Sequence, residues 1–276
     1  PAGRDKYKQM VHGVSGIASD LQMGTMAYMQ NAGMLADITE VASVRGFDAG
    51  STYPSLAADF MIEGRQYGFP ISAYVATLWA NVETFEKYGM DPPPRYWDYQ
   101  TFEKMGREFV KRANPSGQRK IVFFLNGFKT NNNQRFIRAM HRDAGLDDFN
   151  ETMTRCTLGD ERFARALERV YRWTYVDKIV ASPADTEAFA SSASAGYGGD
   201  EIPLFYHGHY GMVALGRMAL IRWRQFSRHP RLSVSYFPFD EFISTNAIAL
   251  NVGIYEQSPN RELAFHFLEY LTSEAH

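Results

Sequence analysis

An unbroken apolar run, Ile121 to Leu125, is the segment of this 276-residue chain that most narrows the fold it can adopt. Five consecutive apolar residues suit a strand that is covered on both faces, as the strands of a parallel sheet are. Asn126-Gly127 ends the strand, and residues 132–143 offer a helix through Phe136 and Met140. A strand, a loop and a helix in this order indicate an α/β protein.

Three further helices are predicted from capping residues and apolar stripes. Asp98, Asp160 and Ser258-Pro259 are each followed by apolar residues at helical spacing, and Ser258 is expected as the cap with Pro259 at the first helical position. The stripes are Phe102, Met105, Phe109 and Val110; Phe163, Ala166, Leu167 and Val170; and Leu263, Ala264, Phe267, Leu268 and Leu271. Residues 188–203 are small and Gly-rich, and they predict a loop.

Alternation along residues 71–75 predicts a strand with two different faces. Ile71, Ala73 and Val75 form an apolar set that suits a core, whereas Ser72 and Tyr74 carry hydroxyls that suit a wet cleft.

Composition excludes several classes of protein. A net charge of −2 argues against an electrostatic nucleic-acid binder, which needs a basic stripe. Cys156 is the single cysteine, so an internal disulfide framework and a cysteine-based zinc cluster are both excluded. No apolar run approaches the roughly 20 residues that span a bilayer, and residues 1–10 do not resemble a secretory signal.

The candidate catalytic and metal-binding motifs are weak. His207 and His209 would share a face on a strand, but no third ligand is near in sequence, so a solvated loop pair is the favoured interpretation. The acidic pairs Asp147-Asp148 and Asp200-Glu201 are adjacent in sequence, whereas acid–base catalysis needs carboxyls that face each other. We therefore expect no catalytic residues, no cofactor and no metal site.

Several segments, taken in series, resemble extracellular solute-binding proteins of the sugar-type, maltose-binding-protein-like family of ABC importers. Residues 19–39 resemble the family's strand, ligand loop and helix followed by Gly-x-Leu, and residues 68–102 resemble its crossover segment, in which Gly-x-Pro leads to Phe-Glu-Lys, a Pro-Pro and a Trp-Asp helix start. Residues 145–173 resemble a helical region of the family. Residues 204–221 resemble its Leu-Phe…Gly-Arg motif, and residues 253–274 resemble its closing helix.

This resemblance implies two α/β lobes with a ligand cleft between them. The first lobe would take residues 1–71 and 239–276, and the second would take residues 72–238. Met218 stands where the family often has a stacking Trp after Gly-Arg. Because the family's opening strand and later C-terminal helices have no counterpart here, the resemblance also implies that the chain is partial at both ends.

The resemblance implies ligand contacts at three places. A sugar site needs aromatic rings to stack on and polar groups that bond hydroxyls. The crossover supplies Tyr74, while for each aromatic candidate a core position is the alternative. The full set is Met23, Gly24 and Thr25 in the first-lobe loop; Tyr74; and Asn126, Phe128, Tyr197, Gly198 and Arg217 in the second lobe.

The function that the resemblance implies is capture of a sugar or oligosaccharide and its delivery to membrane permease subunits. Such a protein is not an enzyme, is monomeric, binds no nucleic acid, and works in the periplasm or as a cell-surface lipoprotein. Two alternatives stay open: a two-lobed glycan-processing enzyme, and a solute-binding protein for an anion or polyamine.

Overall fold

A computed structural model describes most of the chain, and it divides into two compact units. The described residues are 21–23, 26–118, 120–125, 133–147, 150, 154–192, 201–217, 220, 223–224, 226–245 and 247–273. Unit 1 consists of the described residues up to Tyr74 and those from Ile248 onward, and unit 2 runs from Val75 to Ala247. The lobe boundaries expected from the sequence, after residues 71 and 238, stay a prediction.

Nine strands and ten α-helices are assigned within the described residues. The strands are β1 Leu21–Met23, β2 Met61–Ile62, β3 Arg65–Gln66, β4 Phe69–Val75, β5 Thr77–Asn81, β6 Val122–Leu125, β7 Tyr210–Leu215, β8 Leu232–Ser235 and β9 Ala247–Ile254. The helices are α1 Met26–Asn31, α2 Thr39–Arg45, α3 Pro54–Ala57, α4 Val82–Lys87, α5 Tyr99–Ala113, α6 Asn133–Asp143, α7 Glu161–Tyr171, α8 Pro183–Ser192, α9 Glu201–Tyr206 and α10 Arg261–Thr272. A short 3₁₀ turn covers Ala49–Ser51, and a π-helical turn, Arg172–Val176, continues α7.

Unit 1 is built on a three-stranded sheet in the order β1-β9-β4, with β1 and β9 antiparallel. Gly68 lies just before β4, and a Cβ at this position would approach the Met26 sulfur to 2.6 Å and the Val252 carbonyl oxygen to 3.0 Å. A side chain at this position would displace the Met26 side chain and crowd the backbone of β9, and glycine avoids both.

Helix α10 packs on unit 1 through a narrower face than its sequence predicts. Ala264 and Leu268 are buried, but Leu263 is 68% exposed and Phe267 is 50% exposed. The start of the helix also differs, because its N-cap is Asn260 and the Ser258 hydroxyl instead accepts a hydrogen bond from the Asn260 N–H. The predicted cap at Ser258 is therefore wrong by two residues, since the serine closes a turn before the helix begins.

Unit 2 contains a four-stranded mixed sheet in the order β6-β7-β5-β8. β6 and β7 are parallel, and β5 is antiparallel to both of its neighbours. All four residues of β6 are buried, so the prediction of a doubly covered strand is confirmed. Asp98 caps α5 by accepting from the Thr101 N–H at 2.7 Å, and α6 follows β6 as predicted.

Side chains of the unit 2 sheet alternate between two cores. One face carries an aromatic core around Phe102, whose ring lies 4.7 Å from Trp173 and 5.3 Å from Phe123. The other face carries a core that includes Val213 and Trp223. Gly106 lets α5 approach the sheet, because a Cβ there would lie 2.9 Å from the Phe123 ring.

Three local predictions are wrong because tertiary packing overrides the sequence pattern. Leu167 is 43% exposed, since only part of the apolar stripe on α7 meets the core. Ala73 and Val75 are exposed, because only the first half of β4 packs on the unit 1 core. The ends of the expected loop at 188–203 are helical, as α8 and α9 extend into it.

The two sheets share no strand within the described residues, so residues 20–60 and 121–236 do not form one continuous sheet there. The α/β fold class expected from the sequence is confirmed. Among the described helices, none combines the length and apolar character that a bilayer crossing requires.

Candidate functional site at the sheet edges

In unit 2, two parallel strands end at the same edge of the sheet. β6 ends at Leu125, which pairs with Val213 of β7, and β7 ends two residues later at Leu215. Ligands of open α/β sheets bind outside the carboxyl ends of such strands. Asn126 follows Leu125 directly in the chain, and Arg217 follows Leu215 by two residues.

Arg217 is the one predicted site residue whose side chain the structure describes. It is exposed, and its guanidinium makes no hydrogen bond or ion pair to a described residue. Its backbone carbonyl accepts a hydrogen bond from the Leu220 N–H at 3.0 Å, which fixes the turn that carries it. An exposed, uncommitted guanidinium beside a sheet edge can bond hydroxyl or carboxylate oxygens of a ligand.

A pair of tryptophans supports the end of β7. The half-buried Trp79 indole donates to the Leu215 carbonyl at 2.9 Å, and its ring meets Trp223 edge-on at 5.2 Å. Trp223 in turn stacks on Phe205 at 6.2 Å. These aromatic contacts hold the segment from which Arg217 projects, and the sequence does not reveal them because the spacing of these residues along the chain is irregular.

A second aromatic group missed by sequence reasoning follows β8. Tyr96 is 52% exposed and stacks on Tyr236 at 5.0 Å with an interplanar angle of 15°. The Arg95 guanidinium carbon lies 5.7 and 5.8 Å from the two ring centroids. Two hydrogen bonds hold this group in place: the Tyr236 backbone N–H donates to the Arg95 carbonyl, and the Trp97 indole N–H donates to the Tyr236 carbonyl. The Arg95-Tyr96-Trp97 triplet is visible in the sequence, but the ring on which Tyr96 stacks belongs to Tyr236, which lies 140 residues further along the chain.

In unit 1, the predicted ligand loop joins β1 to α1. Met23 ends β1 and pairs with Val252 of β9, and Met26 begins the helix. Gly24 and Thr25 connect them and lie outside the described residues, as does the side chain of Met23. Strand and helix therefore flank the predicted loop on both sides.

The remaining predicted site residues are not tested by the structure. Tyr74 lies in β4, but its side chain falls outside the described part of the chain. Asn126, Phe128, Tyr197 and Gly198 also lie outside it. Their ligand-binding roles stay predictions.

The weak motifs gain no support from geometry. His207 lies in a turn and not on a strand, where burial, aided by the neighbouring His209, lowers its pKa. Within the described ranges, no group of three His, Cys, Asp or Glu side chains is arranged to hold a metal ion. Cys156 is exposed.

The sequence profile described as "Bacterial extracellular solute-binding protein" matches residues 4–276. Among solved structures, an ABC substrate-binding protein from Listeria monocytogenes in complex with cycloalternan has a TM-score of 0.76 at 21% identity, covering 97% of this chain and 65% of its own. A solute-binding protein from Thermotoga lettingae bound with α-D-tagatose has a TM-score of 0.73 at 18% identity, covering 98% and 67%. Maltose-bound MalE3 of T. maritima has a TM-score of 0.70 at 18% identity, covering 98% and 66%.

The chain thus spans about two thirds of the length of these solved proteins. Comparison with curated protein sequences gives no match.

Proposed function

Because the chain belongs to the family of bacterial extracellular solute-binding proteins, we propose that it is the substrate-binding component of an ABC importer for a carbohydrate. The observation that carries this proposal is the family match, which extends over residues 4–276 and not over one motif alone. The fold supports it, since solved proteins of the same fold are bound to cycloalternan, tagatose and maltose.

The ligand is a sugar or oligosaccharide held by both units as they close on it. Met23, Gly24 and Thr25 contact it from unit 1, and Asn126, Phe128, Tyr197, Gly198 and Arg217 contact it from unit 2, with Tyr74 on the connecting strand. Arg217 supports this assignment, because its guanidinium is exposed beside the carboxyl ends of β6 and β7.

The protein binds its ligand without altering it and passes it to membrane permease subunits. It acts outside the cytoplasm, in the periplasm or on the cell surface, as a monomer. A binding role agrees with the site, because a carbohydrate needs ring faces and hydrogen-bonding groups but no facing acid–base pair.

Calorimetric titration with glucose, tagatose, mannitol, maltose and maltotriose tests this proposal, with chromatography of the recovered sugar. We expect saturable binding of at least one carbohydrate and its recovery intact. Turnover of the sugar would instead show an enzyme. Saturable binding of sulfate or spermidine with no carbohydrate bound would show a solute-binding protein for another ligand.

A further inference from the structure

Unit 2 contains a pocket of about 400 Å³ that has no part in the proposed carbohydrate capture. Tyr99 at the start of α5 and Asp143 at the end of α6 form part of its wall. The rest comes from one face of α7 and from residues 240–242, which follow β8. A pocket of this size is within the range of small-molecule sites.

Three arginines of α7 face this pocket, and Arg162 is the one whose guanidinium makes hydrogen bonds to described residues. It uses three of its five N–H groups, bonding both carboxylate oxygens of Asp160 at 3.0 Å and the Ala144 carbonyl at 3.1 Å. Arg165 has a single ion pair, with Glu161 at 4.0 Å. Arg169 has contacts of 3.7 Å to Glu103 and 3.6 Å to Asp240. These ion pairs are longer than hydrogen bonds, so within the described residues the guanidinium N–H groups of Arg165 and Arg169 have ionic partners but no hydrogen-bond acceptor.

Tyr99 supplies a third unused donor. Its side chain is only 4% exposed, yet its hydroxyl has no hydrogen-bond partner in the part of the chain that the structure describes. The Arg169 guanidinium lies 4.6 Å from the ring centroid and holds the ring from one side. Burial raises the pKa of Tyr99, and the nearby Asp143 carboxylate adds to this, so the hydroxyl keeps its proton and can donate. A buried donor without a partner costs about 1–3 kcal/mol, which a ligand oxygen would remove.

The acidic residues of the pocket decide what kind of acceptor fits. The Asp143 oxygens already accept the N–H groups of Asp240, Glu241 and Phe242 at 2.7–3.0 Å, and the nearby Tyr99 hydroxyl makes no bond of normal geometry to them. The Asp240 and Glu241 carboxylates also line the pocket and would repel a multiply charged oxyanion. A single carboxylate presents two oxygens with one negative charge and matches the fork of a guanidinium.

We propose that this pocket binds the carboxylate group of a small organic acid through Arg165, Arg169 and the Tyr99 hydroxyl. The site is separate from the proposed carbohydrate contacts, since it shares no residue with them.

Titration of the protein with acetate and butyrate, which carry one carboxylate each, followed by NMR or calorimetry at matched ionic strength, tests the proposal. Butyramide is the matched neutral probe, and phosphate and spermidine test other charges. We expect acetate or butyrate to bind saturably and butyramide not to bind. Arg165→Gln and Arg169→Gln should each weaken carboxylate binding about tenfold. Tyr99→Phe removes only the hydroxyl and should weaken it severalfold without lowering the stability of the unliganded protein.

Arg155→Gln, which changes an exposed arginine outside the pocket, is the control and should bind carboxylate normally. All variants should bind carbohydrate as the wild type does, which separates this site from the proposed transport site. The proposal is overturned if carboxylates bind no better than butyramide, if phosphate or spermidine binds in their place, or if Arg165→Gln, Arg169→Gln and Tyr99→Phe all bind them unchanged.

Discussion

Asp143 shows how one side chain can fix a segment far away in sequence. It is 4% exposed, and its carboxylate accepts three consecutive backbone N–H groups, those of Asp240, Glu241 and Phe242. These three residues belong to the segment that connects β8 to β9. The Asp143 side chain, at the end of α6, therefore fixes by hydrogen bonds the segment through which the chain leaves unit 2.

Replacing Asp143 by Ala should destabilise the protein by about 2 kcal/mol or more, because each part-buried N–H that loses its acceptor costs about 1–3 kcal/mol. Urea denaturation followed by fluorescence measures the loss. Asp147→Ala is the control, since Asp147 is an exposed member of a surface ion pair, and it should change stability by less than about 0.5 kcal/mol. Equal stability of the two variants would show that solvent replaces Asp143 without cost.

Tyr74→Ala tests the proposed ligand site at its most informative position. It should weaken carbohydrate binding by about tenfold or more, or roughly 1.4 kcal/mol, which is the worth of one stacked or hydrogen-bonded ring. The melting temperature of the unliganded protein should change little. Tyr53→Ala removes a tyrosine that is 75% exposed, and its carbohydrate affinity should equal that of the wild type. A Tyr74 variant that melts early and binds normally would make Tyr74 a core residue.

Side-chain roles were harder to predict from the sequence than helices and strands. The bonds of Asp143 to residues 240–242 have no local signal, because the partners lie almost one hundred residues apart. Leu167 and Val75 fit apolar patterns but are 43% and 45% exposed. An apolar pattern shows which side chains share one face of a helix or strand, but it does not show how much of that face is covered by neighbouring elements. Arg217, expected in the second lobe because its Gly-Arg motif resembles that of the family, follows the end of β7 by two residues, and its ligand-binding role stays a prediction.

Among the secondary-structure elements, α7 has a cap that responds to pH. The Asp160 carboxylate bonds the Arg162 side chain and its backbone N–H, which lowers its pKa from 3.8 to about 2. A pKa that is lower in the folded than in the unfolded protein means that ionised Asp160 stabilises the fold above about pH 4. This contribution is lost as the pH falls toward about 2.

Asp160→Asn should therefore lower the urea midpoint at about pH 6, and its difference from the wild type should shrink as the pH falls from about 4 to about 2. Asp91→Asn changes an exposed aspartate outside any helix and should give a small difference at both ends of this range. A constant difference for Asp160→Asn across the titration would mean that its charge does not contribute.

Elements with strong local signals were predicted well, and elements that depend on neighbours were not. β6, α5 and α6 begin or end within a residue or two of their predicted positions, because an apolar run, a capping Asp and an Asn-Gly pair act locally. The parts of α8 and α9 that fall within residues 188–203 were predicted as loop, and they are helical where buried Phe189 and Ile202 pack into the core that includes Trp223.

At the scale of the whole molecule, the proposal requires that ligand binding act on both units. Each unit has its own sheet and its own cores, so a ligand held by only one of them would protect only that sheet from hydrogen exchange. We expect a bound carbohydrate to slow amide exchange in β9 of unit 1 and in β7 of unit 2 together. Protection restricted to one unit would contradict capture by both.

The pairing of β1 with β9 also sets an order of events during synthesis. Leu21 pairs with Ile254, so the unit 1 sheet joins residues that lie 233 positions apart, and unit 2 is encoded between them. At roughly 5–20 residues per second, β1 waits tens of seconds for its partner to be translated. All the described strands of unit 2 are therefore synthesised before the unit 1 sheet is complete, and a nascent chain exposes the unpaired edges of unit 1 until β9 has been translated.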